Sequence, residues 1–381
     1  MSGRAMRDDD APIAITGVGV ASDRHHSADD LLDPAARAPG DAADRLRREL
    51  GRGFRYKDRA TKLGVLAAIR ALRDNGQDSP AATTGVVVSS NLGNLQTVCD
   101  TAQVIHAQGA GATSPMDLPN ASSNVIASTI AIHLGLRGPN VTLCNGAPSG
   151  LDALRWATVL LRTGRARRVV VVGTESASEA AAALQNCAPD HLFDGAAALI
   201  VEHPTTAGAL HVHQCCRGPD PAEATARALA ASGNPPINLW LETTRASTDP
   251  QNPSKDSRPN TAYTSTRPTT DPGEPPTGPR PRTSRTATRA TAVDGDPPID
   301  RTPTDPANPS DGPRSRAGRT VAGAVVDAEE YLGRAGGALG VVQVVIAHRW
   351  LVRHGGTAAL AVAGNAVEGA AAVVLSREEA S

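Results

Sequence analysis

The apolar and polar residues fall into two periods that alternate along the chain. IAITGVGVAS (13–22) is a nearly unbroken apolar run ending in small residues, and it predicts a buried strand. DRATKLGVLAAIRALRDNG (58–76) places Leu63, Leu66, Ile69 and Leu72 on one face of a helix stopped by Asn75 and Gly76. TTGVVVSS predicts a second strand, ASSNVIASTIAIHLGL a second helix, and RRVVVVGTES and AAALIVE further strands. Near the C-terminus, EEYLGRAGGALGVVQVVIAHRWLVRHG predicts one glycine-loosened helix, and AALAVAGNAVEGAAAVVLSRE the closing strands. Uniformly apolar strands alternating with helices predict an α/β, mainly parallel sheet covered on both faces.

GPNVTLCNGAPSGLDAL (138–154) predicts a strand through Val141, Thr142 and Leu143 that turns sharply at Asn145, Gly146 and Ala147. Ser149 is expected to cap a helix carrying Leu151, Leu154, Val159 and Leu160. Elbows of this kind present nucleophiles at a helix N-terminus, where the dipole stabilises an anion. Here the elbow holds the methyl group of Ala147.

Residues 242–320 break the pattern, with Pro, Thr, Arg and Asp in place of aliphatic residues. Such a stretch cannot bury enough surface to offset its ordering entropy and reads as a disordered linker or insertion. A GC-rich gene read out of frame gives the same composition; codon-position bias distinguishes the two.

The chain has 381 residues and a net charge of −1, which gives no reason to expect nucleic acid or a membrane surface as partner. Aromatic content is 2% against 40% apolar, so the core is expected to be Ala, Val, Leu and Ile packed closely. No apolar run approaches the ~20 residues of a membrane span. MSGRAMRDDD lacks the apolar stretch of a signal peptide, and five scattered cysteines argue for a reducing cytoplasm.

Other candidates have ordinary structural readings. HVHQCC places His211, His213 and Cys215 on one strand face but Cys216 on the other, which suits zinc poorly, and no metal is expected. His25 and His26 are expected in a solvated turn, and Gly17 and Gly19 at a strand end rather than in a dinucleotide loop. Cys144 is expected as a small buried hydrophobe within its strand; as an alternative nucleophile it lacks the helix dipole. The cations of residues 162–168 are expected to cap a solvated helix end, or else to receive a carrier protein.

Several of these stretches together resemble the β-ketoacyl synthases, the thiolase-fold condensing enzymes. They are ITGVGVAS, GVVVSSNLGNLQT, LPNASSNVIASTIAIHLGLRGPN, the elbow, VVVVGTES, FDGAAALIVE and GRAGGALG. The resemblance implies five layers, αβαβα, in two similar halves. Residues 11–203 would form the first half. Residues 204–241 and 321–381 would form the second, degraded and interrupted by 242–320. The family's chemistry uses a cysteine that takes the acyl chain, two histidines that polarise the malonyl carbonyl, and a lysine. Those positions fall here on Ala147, on Thr243 (or Thr244), on Arg334 and on Glu329. An Arg334–Glu329 pair filling the vacated site would be a structural replacement. Loss of a nucleophile alone can cost on the order of 10⁶ in rate.

The pattern is similar to the chain-length-factor or β subunits of type II polyketide systems, and this implies a non-catalytic subunit. Its partners would be a catalytic ketosynthase, as a heterodimer, and an acyl carrier protein delivering phosphopantetheine-bound chains; no cofactor of its own is implied. Asn140, Val141, Thr142 and Leu143 would lie at the interface, and residues 121–128 near the partner's tunnel. The alternatives are a divergent acyltransferase or malonyl decarboxylase with relocated catalytic residues, and a decayed product that does not fold.

Overall fold

In the computed structural model the described residues are 11–33, 35–36, 42–76, 81–204, 209–243 and 323–377. They all belong to one compact unit, Met1–Asn252 with Val321–Ser381. The segment expected to be disordered, 242–320, lies outside the described residues apart from its first two.

The first half runs β1 (Ala14–Ser22), α1 (Ala42–Leu50), α2 (Arg59–Asn75), β2 (Thr84–Ser89), α3 (Leu95–Gln108), α4 (Val125–Leu134), β3 (Asn140–Leu143), α5 (Ser149–Arg162), β4 (Arg168–Glu175), α6 (Glu179–Leu184) and β5 (Gly195–Glu202). The second runs β6 (Leu210–Val212), β7 (Cys216–Gly218), α7 (Pro221–Ala231), β8 (Leu239–Leu241), β9 (Ala324–Val326), α8 (Glu329–Leu332), α9 (Leu339–His354), β10 (Ala358–Asn365) and β11 (Gly369–Arg377).

The strand order is β3-β2-β4-β5-β1-β6-β11-β10-β8-β9, with β7 on β11. Read outward from the β1–β6 junction, the halves repeat one pattern. In the first, β2 is parallel to β3 and β4, while β4–β5 and β5–β1 are antiparallel. In the second, β8 is parallel to β9 and β10, while β10–β11 and β11–β6 are antiparallel. The halves are therefore alike, but the sheet is mixed rather than mainly parallel. Strands buried on both faces read as uniformly apolar whatever their direction, so apolar content could not reveal it.

Alternation of side chains across each strand builds the layers. Val87, Val169 and Val171 point inward to Leu151 and Leu154 of α5 and to Val341 and Val345 of α9. Val86, Val88, Val170 and Val172 point outward to Leu63 and Leu66 of α2 and to Ile126 and Ile130 of α4. In the second half, Ala359, Ala361 and Val373 join the inner core, while Leu360, Val362 and Val374 meet Ala224, Ala228 and Leu229 of α7. Each fully buried Val or Leu contributes about 1.5–3 kcal/mol. Gly17 stands where α2 crosses β1, with room for no side chain: a Cβ there would lie 2.5 Å from the Ala71 carbonyl oxygen.

Three local expectations need correction. The C-terminal helix is broken into α8 and α9, because Gly333 turns at φ 86° and a short 3-10 turn follows. Ser149 does not cap α5: Pro148 occupies the N-cap, and Ser149 is the first helical residue, fully buried. His25 is buried, not solvated, with Nδ1 3.1 Å from Ser22 Oγ, whereas His26 is exposed. Among the described residues, no helix is long and apolar enough to cross a membrane.

Candidate functional site

The elbow forms because β3 ends at Leu143, Gly146 reverses the chain at φ 89°, and Pro148 starts α5. Beneath it lies a cavity of about 410 Å³ lined by Cys144, Gly146, Ala147, Asn91, Glu175, Phe193, Arg334 and Glu368, among others. Two of the four family positions meet here, Ala147 and Arg334. Arg334 is placed by its backbone: its N–H donates to His191 O at 2.8 Å and its carbonyl accepts from Phe193 N at 3.0 Å.

The other two positions lie elsewhere. Glu329 Oε1 accepts from Ala335 N at 2.7 Å, bracing the turn that carries Arg334, and Glu329 is absent from the described lining. Thr243 follows β8, half-buried and outside the described lining; Thr244 lies outside the described residues.

Cys144 requires a correction. It sits just after β3, is exposed, and lines the cavity with Ala147 instead of being packed inside the strand. A strand of four residues cannot carry its alternation past Leu143, so the thiol escapes the core.

Two carboxylates that sequence reasoning did not single out dominate the site. Glu175, at the end of β4, is buried, and burial raises its carboxyl to about 7. Backbone N–H groups oppose that rise: Glu175 accepts from Asn91 N at 2.6 Å, Leu92 N at 3.0 Å and Gly337 N at 3.1 Å. It thereby ties the loop after β2 to the turn before α9. Asn91 in turn accepts from Gly146 N at 3.3 Å through Oδ1. The second carboxylate is Glu368, in the β10–β11 turn, whose Oε2 accepts from Ala147 N at 2.9 Å. The signals were there: one acid closing a strand with four consecutive valines, and one acid in a turn otherwise made of small and apolar residues.

The remaining candidates separate. Arg162, Arg165 and Arg167 are exposed at the end of α5, but Arg168 is buried, with Nε 2.8 Å from Glu202 Oε2. His213 Nε2 lies 2.7 Å from Ser376 Oγ, and Cys215 is buried, its thiol pushed up by burial. Asn140, Val141, Thr142 and Leu143 form β3, the end strand of the sheet, bonded among the described residues only to β2.

Residues 16–191 match the family model of the β-ketoacyl synthase N-terminal domain. The chain is 32% identical over 127 residues to 3-oxoacyl-[acyl-carrier-protein] synthase 2 of Vibrio cholerae, covering 32% of this chain and 31% of that enzyme. It is 28% identical over 162 residues to the synthase 2 of Rhizobium meliloti, covering 42% and 34%. The matches thus span about a third of these relatives' length. In fold the likeness extends through the chain. The ishigamide ketosynthase/chain length factor superposes with TM-score 0.66 at 20% identity, covering 96% of this chain and 99% of that one. A β-ketoacyl synthase from Burkholderia phymatum STM815 gives 0.64 at 13% identity, covering 97% and 100%. The AntDE:AntF complex, a type II polyketide acyl-carrier protein with its ketosynthase, gives 0.65 at 14%, covering 97% and 99%. The chain is similar in sequence to the β-ketoacyl synthases over its N-terminal half, and it has their thiolase-like fold.

Proposed function

We propose that this chain is a non-catalytic, chain-length-factor-type subunit that supports a partner β-ketoacyl-carrier-protein synthase in polyketide or fatty-acyl biosynthesis. One observation carries the reading. The tip of α5, where a nucleophile would gain from the helix dipole, holds Ala147, and its N–H is already bonded to Glu368 of the same chain. Arg334, in place of an imidazole, lines the same cavity.

The pairing surface in this proposal is β3. An open edge of unpaired backbone groups invites a further strand. The helix α4, which packs on β3, adds exposed Ile132, an apolar group that a partner would cover. The likeness to a ketosynthase/chain length factor and to a ketosynthase holding its carrier protein supports both proposed partners. A carrier protein of acidic surface would find exposed Arg47, Arg48, Arg52 and Arg55 on α1 and the turn after it. No cofactor beyond the carrier's phosphopantetheine is proposed, and the compartment is the cytoplasm.

Co-expression with a catalytic ketosynthase subunit of a type II system tests the reading. Co-purification as a 1:1 complex is expected, with condensation that requires the partner's cysteine and survives in a Cys144→Ser complex. Failure to pair overturns it.

The exposed thiol of Cys144 favours a second reading, a divergent acyltransferase or malonyl decarboxylase with a displaced nucleophile. Carbon dioxide release from malonyl-carrier protein by the isolated chain, lost in Cys144→Ser, would establish it.

A further inference from the structure

The turn between β10 and β11, residues 366–368, is exposed yet held in one shape. Asn365 Oδ1 accepts from Val367 N at 2.8 Å and Glu368 N at 2.9 Å, which folds the turn back over the cavity. The Glu368 carboxylate then lies against the elbow. Its Oε2 accepts from Ala147 N, and it fills the space beside Gly146, where a Cβ would stand 2.8 Å from that oxygen. The contact joins residues 221 apart in sequence. An N–H at the head of a helix is the group that would otherwise polarise a carbonyl oxygen or hold an anion.

We propose that Glu368 is a tethered stopper. Its carboxylate occupies the donor that a thioester carbonyl would need, so acyl thioesters enter this cavity only when the 366–368 turn withdraws. The proposal deepens the reading above, on which it rests for the class of ligand. It also specifies that the cavity is closed from within the chain and not merely stripped of its nucleophile. The negative charge suits the helix head better than a neutral carbonyl does, so the closed form is favoured until the turn is disturbed. Asn365, which is not itself among the described lining residues, is the residue that sets the turn.

The test is binding of S-butanoyl-N-acetylcysteamine to the full chain, followed by ligand-observed NMR or calorimetry. Glu368→Ala and Asn365→Ala are each expected to bind about tenfold more tightly than wild type, the equivalent of one charge-assisted hydrogen bond removed from competition. Glu368→Gln, which keeps an acceptor for Ala147 N without the charge, is expected in between. Equal affinity across the four proteins overturns the stopper, and so does the absence of binding in all of them. Should Glu368→Ala fail to give a cooperative melt, Asn365→Ala and Glu368→Gln decide alone. Co-purification with the ketosynthase is scored on the same proteins. Unchanged thioester affinity with pairing intact overturns the stopper only, whereas loss of pairing in wild type overturns the subunit reading.

Discussion

Gly150 of α5 and Gly340 of α9 meet so closely that a Cβ on Gly150 would stand 2.8 Å from Gly340 N, and one on Gly340 2.5 Å from Leu151 N. The two helices follow the equivalent strands β3 and β9, so this contact joins the halves at corresponding points. The approach brings the head of α5, and with it the elbow, against the second half. Gly150→Ala and Gly340→Ala are each expected to lose about 1–3 kcal/mol, the usual cost of overpacking where backbone is the neighbour. Urea unfolding checks this; a wild-type midpoint in either variant would contradict the packing.

Glu175 should leave a signature in the pH dependence of stability. Its carboxyl is raised by burial from 4.5 to about 7 in the folded chain. Below pH 4.5 it is protonated in both states and imposes no penalty. Between about 4.5 and 7 the unfolded chain ionises first, so stability falls as pH rises, and the loss is complete above the folded value. The stability of wild type relative to Glu175→Gln is therefore expected to decline across that window. A difference that stays flat from pH 4 to 8 would refute the assignment.

His348 acts in the opposite direction. Burial, with Arg349 and Arg377, lowers it from 6.5 to about 4, against partial compensation by Asp74. Above pH 6.5 it is neutral in both states. As pH falls from 6.5 towards 4, the unfolded chain takes up the proton and stability is lost. Wild type relative to His348→Gln should lose stability over that range in chemical denaturation, and no such loss would mean the imidazole is solvated.

Cysteine accessibility offers a direct check on the elbow. Cys144 is exposed and Cys215 buried, so iodoacetamide is expected to modify Cys144 first and Cys215 only in urea. Peptide mass mapping reads the order. Early labelling of Cys215 would show that the β7 region opens.

The individual elements of the first half were largely legible. The α2 helix follows from its Leu63, Leu66, Ile69 and Leu72 spacing and from Gly76, which ends it in the left-handed region. The strands β2, β4 and β5 follow from their valine and alanine runs. Strand direction was not legible, because burial on both faces removes the alternation that marks an antiparallel strand. His25 was misjudged because its polar neighbours in sequence are not its neighbours in space. Cys144 was misjudged because one residue of strand length decides whether a side chain enters the core.

By itself the sequence determined the main strands and helices of the first half, and that the elbow carries the methyl group of Ala147. These are local matters, set by side-chain period and residue identity. Only the tertiary structure decided that Ala147 and Arg334 share a cavity while Thr243 and Glu329 stay outside its described lining. It alone placed Glu368 on the Ala147 N–H. Those relations join residues far apart in sequence through the packing of two half-sheets, and no periodicity along the chain encodes such distances.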